Sequence, residues 1–439
     1  MSDRRRRVII MGAAGRDFHN FNVFYRNKSE YEVVAFTATQ IVGIAGRKYP
    51  PVLSGPLYPQ GIPIYDETQL NELIVGYDID DVVLAYSDLS HDYVMEKAEA
   101  ILTTGANFVL LGPSDTQIRS KKPTIAVCAV RTGVGKSEVT RYVGDILKAL
   151  GLKYVVIRHP MPYGVLKKQV WQRYETYDDL KKYDCTVEER EEYEPHIKRG
   201  EIVYAGVDYM EILKRAEEEA DVILWDGGNN DFSFYEPDLL ITLVDPHRPG
   251  HELNYYPGKA NMMMAHVIVI NKINTAKKQG IDIVRENIKK FNSGATVIDG
   301  ASIITLTKPE SIRGKRVLVV EDGPTLTHGG MSYGAGAIAA KKYGCKLIDP
   351  RPYAKGSIKK VFDTFKQLTN VLPAEGYSTK QLAELQATIN ATPADAVIIG
   401  TPIRLDKLLK LNKPSSIVDY NFKEIENRLP FIIKKLLRK

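Results

Sequence analysis

Cysteine is scarce in this chain: Cys128, Cys185 and Cys345 are its only three, and they lie far apart. They can form neither a disulfide framework nor a paired-cysteine metal site, which excludes a cross-linked secreted scaffold. A reducing, cytoplasmic location is therefore expected. Long apolar runs are absent too. Nothing approaches the roughly 18 residues of a membrane helix, and residues 8–11, behind the basic start, are too short for a signal-peptide core. Charge of one sign is also in short supply. A net charge of +6 over 439 residues is too dilute to argue for nucleic acid, but it suits a small anionic substrate. The apolar and basic residues 431–439 read as a terminal helix docked on its own domain, so no membrane partner is expected.

What is present is ordinary globular material: 44% hydrophobic and 26% charged residues. At roughly 150 residues per domain the length suggests three domains. Short Val- and Ile-rich runs recur between helical stretches, at residues 8–11, 33–36, 81–85, 108–111, 124–130, 154–157, 221–225, 239–244, 267–270, 316–320 and 396–399. Continuous apolar strands alternating with helices imply an α/β fold whose parallel sheet is covered on both faces. Polar seams at residues 114–123 and 307–315 divide the chain. A Rossmann-like N-terminal domain is expected over residues 1–118, a central nucleotide-binding domain over 119–312, and a small α/β domain over 313–439.

The central signal is Arg131-Thr132-Gly133-Val134-Gly135-Lys136-Ser137, set between a strand and a helix opening at Glu138. This is the context of a phosphate-binding P-loop. Glycines let backbone N–H groups converge on phosphate at a helix N-terminus, Lys136 reaches the β- and γ-phosphates, and the Ser137 hydroxyl takes Mg²⁺. Val130 stands where the standard pattern begins with glycine, which resembles the variant loops of dethiobiotin synthetase and the Min-type ATPases. Arg131 occupies the position of the Min-type signature lysine. It is expected to touch the phosphates, within its own chain or across a homodimer interface. Asp226, ending the run 222–226, reads as a second carboxylate for the metal. Asn271, Lys272 and Asn274 form a candidate base site. Asn274 offers an amide where a guanine site needs a carboxylate, so ATP is expected and GTP stays open.

Two further strand ends carry basic residues: Arg158, His159 and Tyr163 after one, and His247, Arg248 and His251 after another. Ligands of open α/β sheets bind at such ends, and these cations suit a small phosphorylated acceptor. His328 lies in a glycine-rich stretch, residues 321–336, that is expected to approach a ligand or the central domain. The turn Gly12-Ala13-Ala14-Gly15 opens as dinucleotide folds do, with an imperfect glycine pattern, and Arg16 and His19 beside it are candidates for a further phosphate.

Taken together, residues 12–17, 131–137, 158–164 and 320–325 resemble the cyclic 2,3-diphosphoglycerate synthetase family over nearly the whole chain. The resemblance implies an ATP- and Mg²⁺-dependent ligase that phosphorylates 2,3-diphosphoglycerate and closes it to a cyclic phosphoanhydride. Lys136, Arg131, Asp226 and Arg158 would then be catalytic. A regulatory NTPase, or a ligase or kinase for another small anionic substrate, are the alternatives.

Overall fold

The computed structural model describes residues 4–13, 15–39, 44, 46–159, 164–228, 230–327, 330–374, 379–401 and 404–438. The fold is α/β, as the strand and helix alternation implies. Among the described residues the N-terminal sheet runs in the order Lys48–Tyr49, Ile62–Asp66, Tyr31–Ala38, Arg6–Met11, Asp81–Leu84, Asn107–Val109. Its pairings are parallel except at the Lys48–Tyr49 edge. The chain leaves Arg6–Met11 for Tyr31–Ala38 on one side and later returns to place Asp81–Leu84 on the other. Such a reversal opens a crevice at the carboxyl end of the first strand.

The second sheet begins Gln172–Tyr174, Ile202–Ala205, Tyr154–Arg158, Val222–Gly227, Thr124–Ala129, Leu239–Val244 and Val267–Ile270. It then continues through Thr296–Leu306, Ser415–Glu424, Ala396–Gly400, Arg316–Asp322 and Lys346–Leu347. Thr296–Leu306 is the joint. Its first residues pair in parallel with Val267–Ile270, and from Gly300 onward it pairs antiparallel with Ser415–Glu424. One ladder of backbone hydrogen bonds thus carries the phosphate-loop region into the C-terminal region.

Strands such as Val222–Gly227 and Leu239–Val244 are buried along their whole length. Apolar cores lie on both faces of each sheet, as buried parallel strands require. A two-stranded antiparallel ribbon, Leu89–Ser90 with Tyr255–Tyr256, ties the N-terminal region to the central one. Among the described residues no helix is long and apolar enough to cross a membrane.

Candidate active site

The strand Thr124–Ala129 delivers the chain to the loop, and the helix Lys136–Ala149 takes it away. Val139, Val143, Ile146 and Leu147, at helical spacing, are buried and anchor that helix on the sheet. Between them Gly133 and Gly135 adopt φ of +79° and +104°, a left-handed backbone that glycine enters without strain. Neighbours brace the loop closely. The Asn271 amide donates to the Val134 carbonyl at 2.8 Å, Lys272 donates to the Gly133 carbonyl, and a Cβ on Gly135 would stand 2.2 Å from Asn271. From the C-terminal region, the Thr325 methyl lies 3.2 Å from where a Gly133 Cβ would be.

Asp226 sits behind the loop, fully buried, and engages both carboxylate oxygens. The Lys136 ammonium approaches Oδ1 at 2.8 Å, and the Thr140 hydroxyl donates to the same atom at 2.7 Å. Arg158 pairs with Oδ2, and His196 Nε2 lies 3.4 Å from it. Burial opposes the charge, yet Arg158 and Lys136 outweigh it and hold the carboxyl well below the usual range. Burial in turn lowers the Lys136 ammonium. The loop lysine is thus held on the strand carboxylate.

A cavity of about 460 Å³ opens at the loop, ample for a small metabolite beside a triphosphate tail. Its charges are mixed. Arg131, Lys136, Arg141, Arg158 and Lys272 line it together with Glu138, Glu191, Glu192, Glu321 and Asp322. Glu192, on the helix Val187–Ile197, pairs with Arg158, and burial lifts the Glu138 carboxyl to about 7. Glu321 is also pushed up to about 7 by burial, against the pull of the Gly334, Gly336 and Ala337 N–H groups that it accepts. These donors gather residues 334–337 around one carboxylate.

Of the residues expected at this site, Arg131, Thr132, Gly133, Val134, Gly135, Lys136, Ser137, Glu138, Arg158, His159, His247 and Lys272 line the cavity. Asp226 stands behind Lys136. Others are spent elsewhere. Asn274 exchanges two hydrogen bonds with the Ser302 backbone, and Asn271 serves the loop, so their amides brace backbone instead of presenting a base site. Arg248 is buried on Asp245 and the Thr132 carbonyl; it positions the loop and does not reach out for an acceptor. His251 lies 3.2 Å from Arg131, and burial lowers it to about 4.

His159 packs so tightly on Gly15 and Gly228 that added Cβ atoms would stand 1.7 Å and 2.6 Å from it. Its ring occupies the space beside both glycines. Arg16 pairs with buried Asp231 at 3.8 Å, and His19 stacks on Phe234 at 4.0 Å, so both are packing elements rather than phosphate ligands. Tyr163 and His328 lie outside the described residues. Sequence reasoning missed Asp88, Thr140, His196 and Glu192. Thr140 alone had a local signal, one helical turn beyond Lys136 on the same face.

No protein-family model matches the chain. It is 60% identical over 423 residues to a protein of Thermococcus kodakarensis named arginine synthetase ArcE, a match covering 96% of this chain and 94% of that one. Among solved structures, LpxK from Aquifex aeolicus in complex with ATP shares 14% identity at a TM-score of 0.44, covering 84% of this chain and 99% of that one. A UDP-N-acetylmuramate:L-alanyl-gamma-D-glutamyl-meso-diaminopimelate ligase from Neisseria meningitides shares 12% at 0.28, covering 67% and 78%. Both scores fall below one half, so the functional reading stands on the sequence relative and on the site.

Proposed function

The chain belongs to the family of the arginine synthetase ArcE, and we propose that it is itself a synthetase that uses a nucleoside triphosphate, ATP first, to drive arginine formation. The loop supports phosphoryl transfer. Arginine differs from an amino acid with a ureido side chain by one nitrogen in place of one oxygen. Phosphorylating that oxygen with the γ-phosphoryl group breaks the β–γ bond and releases ADP. A nitrogen nucleophile then attacks the ureido carbon, the C–O bond breaks, and inorganic phosphate leaves with the oxygen. Holding donor and acceptor together supplies most of the advantage.

The cavity's mixed charge is the observation that carries this reading. A zwitterionic amino acid needs a cation for its carboxylate and an anion for its ammonium, and Arg158, Glu191 and Glu192 all line the cavity, Glu192 already paired with Arg158. Magnesium is proposed as the nucleotide's counter-ion. Ser137 and Asp226 are hard oxygen donors of the type it takes, and Asp226 becomes available when Lys136 turns toward phosphate. When bound, the ion would neutralise charge on the β- and γ-phosphates.

The second reading is cyclisation of 2,3-diphosphoglycerate. The loop and the five lining cations favour it, but lining carboxylates such as Glu191 and Glu192 repel such a polyanion. One experiment separates the two: supply ATP and Mg²⁺ with either a ureido amino acid and ammonium or with 2,3-diphosphoglycerate. Arginine and ADP in equal amounts from the first mixture support the proposal. A new phosphoanhydride ³¹P signal from the second, with no arginine from the first, would overturn it.

A further inference from the structure

The carboxyl edges of the two sheets meet. Arg6–Met11 runs into the turn whose Gly15 abuts His159, the residue after Tyr154–Arg158. Asp81–Leu84 leads to Asp88, which touches the phosphate loop after Thr124–Ala129. In an open α/β sheet such an edge ordinarily holds that sheet's own ligand. Here the N-terminal edge is filled by the neighbouring site.

Asp88 makes the closest of these contacts. Its carboxylate lies 2.6 Å from Arg131 Nε and accepts from the Thr132 hydroxyl at 2.6 Å and the Thr132 N–H at 3.2 Å. Its backbone has φ of +60°, uncommon for any residue but glycine and best tolerated by Asp and Asn. The guanidinium it holds also lies over the Tyr255 ring at 3.6 Å, and Tyr255 belongs to the ribbon that Leu89–Ser90 completes. Arg131 is therefore gripped between a carboxylate and an aromatic face, both set by the docking of the N-terminal sheet. A guanidinium held this way keeps its plane fixed at the mouth of the loop.

We propose that the N-terminal region is a working part of the phosphoryl-transfer site, with Asp88 as the positioning residue that fixes Arg131 and Thr132 for the transferring phosphoryl group. The proposal rests on the loop's role in phosphoryl transfer and not on the identity of the acceptor. Charge placed in advance contributes more to the transition state than to ground-state binding. Loss of Asp88 should accordingly appear in kcat rather than in nucleotide KM.

The test uses the full-length protein and follows ADP release. Asp88→Asn keeps the tolerated backbone and an acceptor for Thr132 but removes the charge facing Arg131. We expect kcat to fall roughly 10- to 100-fold while the KM for ATP stays within about threefold. Arg131→Ala should lose a similar factor, and the double variant should be no worse than Arg131→Ala alone. Unchanged kcat in Asp88→Asn, or losses that multiply in the double variant, would overturn the proposal. Should Asp88→Asn fail to fold, Arg131→Lys keeps the ion pair and loses the planar stack. The same kcat loss is expected there, and full activity would be equally fatal. A wild type that releases ADP but makes no arginine would sink the arginine reading and leave this test intact.

Discussion

Asp226 binds two full cations, a hydroxyl and a histidine edge while fully out of water. A lone buried carboxylate would be costly, so its partners cannot be removed independently. Lys136 is the partner expected to change sides, moving to phosphate when nucleotide enters. Lys136→Ala is predicted to lower ADP formation by ~10³-fold or more, since the loop then lacks the lysine proposed to reach the phosphates. Titration of the variant with a non-hydrolysable ATP analogue should show weakened binding, and retained turnover would contradict the assignment. The loop was plain in the sequence because its glycines, lysine and serine are adjacent and their spacing is itself the mechanism. Asp88 and His196 were not, because they arrive from other elements and nothing near them in the chain marks the meeting.

At the scale of elements, Glu321 organises the backbone of residues 334–337. It stands at the end of Arg316–Asp322, 1% exposed, and accepts three N–H groups from the following stretch. Gly334, Gly336 and Gly400 all press on its carboxyl, where added Cβ atoms would stand 2.4–2.6 Å from an oxygen or, at Gly336, 3.2 Å. Glu321→Gln would turn an amide N–H₂ toward a backbone N–H, leaving a donor facing a donor. The expected cost is about 1–3 kcal/mol in a urea melt, and an unchanged midpoint would show that the carboxylate is dispensable.

Most of the buried parallel strands were legible because each is a continuous apolar run, although Ile202–Ala205, as apolar as the rest, was not among them. Thr296–Leu306 and Ser415–Glu424 escaped notice because they alternate. In Val418-Asp419-Tyr420-Asn421-Phe422 every second residue faces outward, and such a pattern, broken by glycine in the partner strand, reads weakly beside the Val-rich runs. That pair joins the two halves of the long sheet, so its omission hid how the C-terminal region reaches the loop.

Across the whole molecule, the N-terminal sheet is fastened to the phosphate-loop sheet by buried polar residues, which makes that junction sensitive to acid. His19 stacks on Phe234 and lies 2.6 Å from the Thr116 carbonyl, and burial lowers its imidazole to about 3. The folded state therefore keeps His19 neutral where the unfolded chain takes up a proton. Stability from this group is complete above about pH 6.5 and is lost as pH falls from there toward 3. His19→Phe should flatten the acid limb of a denaturation series between about pH 7 and 4.5, by on the order of 2 kcal/mol at the acid end. An unaltered slope would place the sensitivity elsewhere. The same junction brings the Asp88 carboxylate from one sheet to a loop on the other, so the proposed binding and transfer are tasks of the assembled chain. The central step of the proposed reaction is the passage of an acceptor oxygen to phosphate, and isotope labelling follows that atom directly. With ¹⁸O in the ureido group, ATP and ammonium, the account predicts ADP, arginine and inorganic phosphate carrying the label. Unlabelled phosphate, or AMP with pyrophosphate in place of ADP, would contradict it.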